Sequence, residues 1–140
     1  MPFSRILVAI DGSDGSAHAL DKALELAGLT GATLLALAVE GPLPAYAATI
    51  GEVEEVKREK DAFFMRLLAG VREQAEAAGV PLEVELRPGH AAELIVRYAR
   101  ERHADLIVLG HRGHLLRDRM LGSTADRVAE HADCPVMIVR

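Results

Sequence analysis

Five short apolar runs alternate along the chain with longer segments of helical periodicity. The runs cover residues 5–10, 33–39, 82–86, 106–109 and 136–139, and most are rich in leucine and β-branched residues. Continuous apolar runs of this length are typical of strands that are buried on both faces. The third run differs because glutamates alternate with apolar residues, so we predict an edge strand with one polar face.

Between these runs, apolar residues recur at helical spacing of three and four. We predict helices that begin after residue 13 or 14, near residue 53, near residue 91 and near Ser123. Ser13 or Asp14 can cap the first helix, and Gly28 or Gly31 can end it. The longest helix ends at Gly79 and Pro81. Its predicted buried stripe is Val53, Val56, Phe63, Phe64, Leu67, Leu68, Val71, Ala75 and Ala78.

Strict alternation of strands and helices favours one α/β domain over residues 1–140, a length that suits a single core. We predict a three-layer, doubly wound parallel sheet of five strands. If the first and fourth strands are neighbours, the strand order is 3-2-1-4-5. Ligands of such sheets bind beyond the carboxyl ends of the strands, where the winding reverses.

Two loops at that expected edge carry candidate ligand chemistry. Residues 11–16 follow the first strand, and residues 110–124 follow the fourth. Gly110 and Gly113 would allow backbone to approach a ligand closely, and Gly122, Ser123 and Thr124 would offer N–H groups at a helix N-terminus. Arg112 adds positive charge. We therefore expect a phosphate here, although a plain strand-to-helix connection with a helix cap has the same local pattern.

Composition narrows the range of partners and locations. The net charge of −5 argues against general nucleic-acid binding, which requires a basic face. A stretch of eighteen apolar residues without charge is absent, so we expect neither a transmembrane helix nor a membrane partner. The first residues lack a secretory cleavage pattern. The one cysteine, Cys134, precedes Pro135 and an apolar run, and we expect it to be packed. A cytoplasmic protein fits these features.

The chain resembles the universal stress protein family, in particular its adenine-nucleotide-binding members. The resemblance runs from Arg5 to Arg140 and is carried by residues 6–13, 104–110, the second loop and residues 134–139. The nucleotide motif of the family is glycine, two residues, glycine, nine residues, then glycine and serine or threonine. Gly110, Gly113, Gly122 and Ser123 match it, but only eight residues lie between the second and third glycines.

The resemblance implies an adenine nucleotide alpha hydrolase-like fold that binds ATP with Mg²⁺ or Mn²⁺. Asp11 would contact the ribose or, through water, the metal, and the backbone of Val39 would contact the adenine edge. Gly110, Arg112 and Gly113 would approach the ribose and phosphates. The full implied site is Ala9, Ile10, Asp11, Val39, Leu109, Gly110, Arg112, Gly113, Gly122, Ser123 and Thr124.

The family also implies a homodimer joined through the last strand, Val136, Met137, Ile138 and Val139. An apolar strand at a sheet edge makes such pairing favourable. The expected function is that of a regulatory or sensor module in stress response. The alternatives are a dimerisation module of the same fold without nucleotide binding, which the shortened loop supports, and a slow ATPase.

The sequence lacks the motifs of several other classes of nucleotide-dependent protein. Residues 12–16 contain neither the lysine nor the spacing of a P-loop, and they fail the dinucleotide-binding fingerprint. They also lack the serine-glycine-glycine loop of related enzymes that adenylate their substrates. His111 and His114 could be read as metal ligands, but two imidazoles that flank a glycine loop with no nearby cysteine are more typical of solvent-facing or phosphate-side groups. We therefore assign no catalytic residue.

Overall fold

The computed structural model describes residues 3–41, 50–111 and 123–140, and they form alternating strands and helices. The element bounds agree with the predicted ones to within a few residues. In chain order the elements are β1 (Arg5–Ile10), α1 (Asp14–Thr30), β2 (Thr33–Glu40), α2 (Ile50–Ala78), β3 (Leu82–Pro88), α3 (Ala91–Glu101), β4 (Leu106–Gly110), α4 (Ser123–His131) and β5 (Val136–Val139).

The sheet is parallel throughout, with strand order β3-β2-β1-β4-β5, which confirms the predicted topology. β1 lies at the centre and pairs with both β2 and β4. Its register places Ile10 opposite Ala38 of β2 and Val8 opposite Val108 of β4. The carboxyl ends of these three strands therefore lie along one edge of the sheet.

Alternate residues of the central strands enter two cores on opposite faces of the sheet. Ile6, Val8 and Ile10 pack against α1 and the second half of α2. Leu7 packs on the other face, among residues of α3 and α4. Because both faces are covered, neither can carry polar residues, which explains the nearly continuous apolar runs of β1, β2 and β4.

The ends of α1 follow standard capping chemistry. Ser13 is the N-cap, and its Oγ accepts a hydrogen bond from the Ser16 N–H at 3.1 Å. Gly31, rather than Gly28, ends the helix in the left-handed conformation at φ 75°. A residue with a Cβ is strained at that φ, so glycine is favoured there.

β3 is an edge strand, as predicted, and its two glutamates face α3. Glu83 forms ion pairs with Arg5 and Arg102, and Glu85 forms one with Arg87. Arg87 also pairs with Glu101 at 2.7 Å, and this contact lowers the pKa of the Glu101 carboxyl. The polar face of the strand thus attaches β3 to the end of α3 by charge rather than by apolar packing.

The predicted stripe of α2 is only partly correct. Phe64, Leu68, Val71 and Ala75 are buried, but Phe63 is 39% exposed and Ala78 lies at the surface. Neighbouring residues of a helix point about 100° apart, so Phe63 and Phe64 cannot both face the same core. None of the helices among the described residues is both long and apolar enough to cross a membrane.

Gly110 ends β4 at a point of very close packing. A Cβ at this position would lie 2.4 Å from the carbonyl oxygen of Gly15 and 3.0 Å from the Ser16 nitrogen. Both contacts are with backbone in the first turn of α1, which cannot rotate away as a side chain can. The glycine therefore allows β4 and α1 to approach each other, a role independent of any ligand.

We predict that Gly110→Ala lowers the free energy of unfolding by about 1–3 kcal/mol, because one added methyl group overpacks this contact. Gly70→Ala is the matched control, since Gly70 lies within α2 with no atom within 4 Å of its Cβ position. That control should gain about 0.5–1 kcal/mol from helix propensity. Urea unfolding measures both values, and equal stabilities for Gly110→Ala and the wild type would contradict the packing role.

Candidate functional site

The predicted site residues converge on the edge where β1, β2 and β4 end. Asp11 directly follows β1, Val39 is the penultimate residue of β2, and Gly110 is the last residue of β4. Gly110 lies against Gly15 and Ser16 in the first turn of α1, which begins three residues after Asp11, so the end of β4 is in contact with the helix that the Asp11 loop leads into. The structure therefore brings these three residues to one edge of the sheet.

Asp11 organises its own loop through one carboxylate oxygen. Asp11 Oδ1 accepts hydrogen bonds from the Ser13 backbone N–H at 2.9 Å and from Ser13 Oγ. Asp11 Oδ2 accepts no hydrogen bond from any residue in the part of the chain that the structure describes. Asp11 is half-buried. It thus holds the turn with one oxygen and has the other available as an acceptor.

Ser16 completes this turn, and the sequence analysis did not single it out. It is 6% exposed, its Oγ donates to the Ser13 carbonyl at 3.1 Å, and that Oγ accepts from the Asp11 N–H at 3.3 Å. Gly12 lies between the bonded residues at φ +85°. The Ser13 and Ser16 hydroxyls, three residues apart, were the available sequence signal for this network.

The remaining strand residues of the predicted site point to different faces. Ile10 is 2% exposed and packs in the α1 core, while Leu109 is 4% exposed and packs in the α3 and α4 core. Only their backbones can face a ligand at the edge. Ala9 and Val39 are half-buried and border the α3 and α4 core, so their side chains can contribute an apolar surface on that side.

The end of β2 carries a polar group that the sequence analysis also missed. Glu40 follows Val39, and its Oε2 atom is buried without a hydrogen-bond donor among the described residues. Its backbone is paired, since the Glu40 carbonyl accepts from the Gly89 N–H at 3.0 Å. A buried carboxylate oxygen without a donor costs about 1–3 kcal/mol, so this end of β2 is electrostatically suited to a donor group.

α4 begins at Ser123, with half-buried Thr124 in its first turn. A helix N-terminus carries positive partial charge and free N–H groups, which favours an anion there. Arg112, Gly113 and Gly122 lie outside the described residues. The described part of the site therefore comprises the Asp11 loop, the ends of β2 and β4, and the first turn of α4.

The part of the chain that the structure describes contains no group of three or more histidine, cysteine or carboxylate side chains that could hold a metal. The backbone N–H of His111, one of the two histidines weighed as ligands, donates to the Val139 carbonyl at 2.7 Å and so extends the pairing of β4 with β5. Any Mg²⁺ at Asp11 would need further oxygen ligands from a bound phosphate and from water.

Cys134 packs among residues of the α3 and α4 core, as predicted, and is half-buried. Burial and the nearby Asp105 and Asp133 raise the pKa of its thiol. The thiolate is the reactive form, so this environment makes Cys134 a poor nucleophile.

Comparison with known proteins identifies the family. The family model described as universal stress protein family matches residues 2–140. Universal stress protein YxiE of Bacillus subtilis is 35% identical, with 99% of each chain covered.

Solved structures agree with this match. Universal stress protein UspA from Lactobacillus plantarum superposes with a TM-score of 0.84 at 29% identity, covering 100% of this chain and 99% of the other. A universal stress protein solved in complex with cAMP gives a TM-score of 0.77 at 28% identity, with the same coverage. Since the family model and these relatives match the chain over almost its whole length, the protein belongs to the universal stress protein family.

Proposed function

We propose that the protein is an adenine-nucleotide-binding regulatory module, with ATP among its ligands. The observation that carries the proposal is the packing of Gly110, at the end of β4, against the first turn of α1 just after Asp11, at the same sheet edge from which α4 leads back to the parallel strand β5. The relative in complex with cAMP supports an adenine nucleotide as the ligand class. In this proposal the nucleotide changes the shape or the dimer stability of the module, which is how occupancy becomes a signal.

Asp11 is the proposed ribose contact. Its Oδ1 is engaged by Ser13, which holds the carboxylate in one orientation, and Oδ2 is the acceptor available to a ribose hydroxyl. A hydrogen bond to a charged group contributes about 1.5–3 kcal/mol, more than one between neutral groups. The backbone at Ala9, Ile10, Val39, Leu109 and Gly110 would border the base and ribose.

The phosphates are proposed to bind at the first turn of α4. Ser123 and Thr124 begin this helix, and its N–H groups and dipole favour an anion at that end. Arg112, Gly113 and Gly122 remain proposed phosphate neighbours on the basis of the family motif alone. When bound, Mg²⁺ or Mn²⁺ would neutralise phosphate charge, with Asp11 contacting it through water.

The second candidate function is a dimerisation module of the same fold that binds no nucleotide. It is favoured by the loop between Gly113 and Gly122, which is one residue shorter than the family motif. Binding experiments separate the two, since only the first candidate predicts a site that saturates with an adenine nucleotide.

We expect ATP with magnesium, AMP and cAMP each to bind the wild-type protein once it has been stripped of nucleotide. Asp11→Asn should weaken this binding roughly 10- to 100-fold. An asparagine oxygen can still accept from Ser13, which preserves the turn, but its NH₂ group cannot accept from a ribose hydroxyl. Isothermal titration calorimetry measures the affinity.

Asp14→Asn is the matched control for this substitution, because Asp14 is the exposed first residue of α1, three residues after Asp11, and its replacement should leave the affinity unchanged. Absence of binding heat and of a thermal shift at millimolar nucleotide would reject the nucleotide site. Equal affinities for Asp11→Asn and the wild type would reject the role of Asp11.

We also propose a homodimer formed by β5. This strand lies at a sheet edge, and Val136, Met137, Ile138 and Val139 are all half-buried in the single chain. The edge offers backbone groups and apolar surface to a second copy. An isologous contact of this kind closes after two chains and does not lead to open fibres.

Ile138→Asp should convert the dimer to a monomer, because a charge in the middle of the paired strand would be buried without a partner. Sedimentation velocity reports the mass, which should be twice that of the chain for the wild type. Met65→Asp, at a 72% exposed position on α2, is the control that should remain dimeric. A folded Ile138→Asp variant that is still fully dimeric would place the interface elsewhere.

Hydrolysis of ATP should be slow, orders of magnitude below the roughly 10 per second of a typical enzyme. We assign Asp11 to the ribose and assign no carboxylate or histidine to the role of general base, which fast hydrolysis would require. Phosphate release under saturating ATP and magnesium measures the rate. A steady rate of roughly 1 per second or more that Asp11→Asn abolishes would make the protein an ATPase instead.

A further inference from the structure

Phe63 of α2 lies directly against the loop that follows β1. A Cβ built at Gly12 would be 2.5 Å from Phe63 Cζ and 3.2 Å from Phe63 Cε2, so the ring is in contact with the Gly12 backbone. Gly12 is the residue between Asp11 and the N-cap of α1. The contact therefore joins the longest helix to the turn that orients the Asp11 carboxylate.

The same face of α2 also contacts the end of β2. Lys60 precedes Phe63 by three residues, a spacing that places both side chains on one side of the helix. Lys60 Nζ donates to the Gly41 carbonyl at 2.9 Å, directly after the last residue of β2. One turn of α2 thus touches the chain just beyond β1 and just beyond β2, the two strands that precede the proposed nucleoside contacts.

The position of Phe63 differs from that of an ordinary core residue. Phe64, its neighbour, is 7% exposed, packs with Leu68 and Ala38, and meets the Phe63 ring edge to face at 5.2 Å. Phe64 therefore anchors the helix to the sheet. Phe63 is 39% exposed and lies against the backbone of Gly12.

We propose that Phe63 is a positioning residue for the nucleotide site, and that α2 detects occupancy of the site through this contact. The inference rests on the proposed function and specifies how the site is regulated. Gly12 is held at a left-handed φ between Asp11 and Ser13, which are joined by hydrogen bonds. A ligand that engages Asp11 restricts this turn, and the ring of Phe63 lies where a change in the turn alters packing on α2. In the reverse direction, the ring limits the turn to the geometry that binds.

Tryptophan fluorescence tests this coupling, because the chain contains no tryptophan. Phe63→Trp introduces a single indole against Gly12. Addition of AMP, cAMP or ATP with magnesium should shift its emission, with the same midpoint that calorimetry gives for the variant. Met65→Trp is the matched control on the same helix at a 72% exposed position, and its emission should not respond.

Affinity provides the second measurement. Phe63→Ala should weaken nucleotide binding by about tenfold, the scale on which loss of a supporting contact affects a site, and Phe63→Leu should restore part of the loss. Leu68→Ala removes a buried side chain from the same helix. It should reduce stability more than Phe63→Ala does, yet leave the affinity unchanged, which separates positioning from general destabilisation.

The outcomes distinguish this inference from the function on which it rests. If the wild-type protein binds no adenine nucleotide in calorimetry, both are wrong. If the wild type binds but the Phe63→Trp emission is unchanged, or Phe63→Ala binds as tightly as the wild type, only the role of Phe63 and α2 is overturned. A response of Met65→Trp equal to that of Phe63→Trp would likewise overturn it, because the change would not be local to the contact.

Discussion

The close approach of β4 to the first turn of α1 is the contact on which the geometry of the candidate site depends. It is possible only because Gly110 has no side chain, since a Cβ there would overlap the backbone of Gly15. β1 and β4 are adjacent in the sheet, but adjacency alone would leave the loops beyond them free to diverge. The contact between Gly110 and Gly15 holds the end of β4 against the start of α1, so Asp11 and the end of β4 lie at one edge of the sheet.

Because the parallel strands are buried on both faces, only certain groups can reach that edge of the sheet. Side chains of a strand alternate between faces, and here Ile10 enters the α1 core while Ala9 and Val39 border the α3 and α4 core. The polar functions of the site are consequently placed beyond the strand ends, in Asp11, Ser13 and Ser16. These residues form a closed hydrogen-bonded turn, which orients the Asp11 carboxylate through hydrogen bonds within the turn itself.

Different observations support the membership of the universal stress protein family and the proposed ligand. The family follows from a match over nearly the whole chain. The nucleotide proposal combines the arrangement of the sheet edge with a relative solved in complex with cAMP. The contact of α2 with the ends of both β1 and β2 adds a physical route by which a small ligand at the edge can affect a helix of 29 residues.

The amino-acid sequence alone determined the fold to a large extent. Alternating periods of strand and helix, together with turn residues between them, predicted five strands and four helices, because buried parallel strands and amphipathic helices impose different spacings on apolar residues. The order 3-2-1-4-5 was predicted on the condition that the first and fourth strands are neighbours, which the sheet confirms. The cap at Ser13 was one of two predicted alternatives, and the position of Asp11 after β1 followed from the same local pattern. The nucleotide assignment itself came from the family resemblance, and the phosphate loop at Arg112, Gly113 and Gly122 lies outside the described residues.

The tertiary structure decided which contacts those elements make. Gly110 was expected to admit a ligand, and the structure gives it a packing role against α1 that no local pattern contains. Phe63 and Phe64 are equivalent in the sequence, yet one is buried and the other lies on the Gly12 loop. Periodicity reports the width of an apolar face, but the partner of each residue depends on how distant segments cross, and that is set only when the helices pack on the sheet.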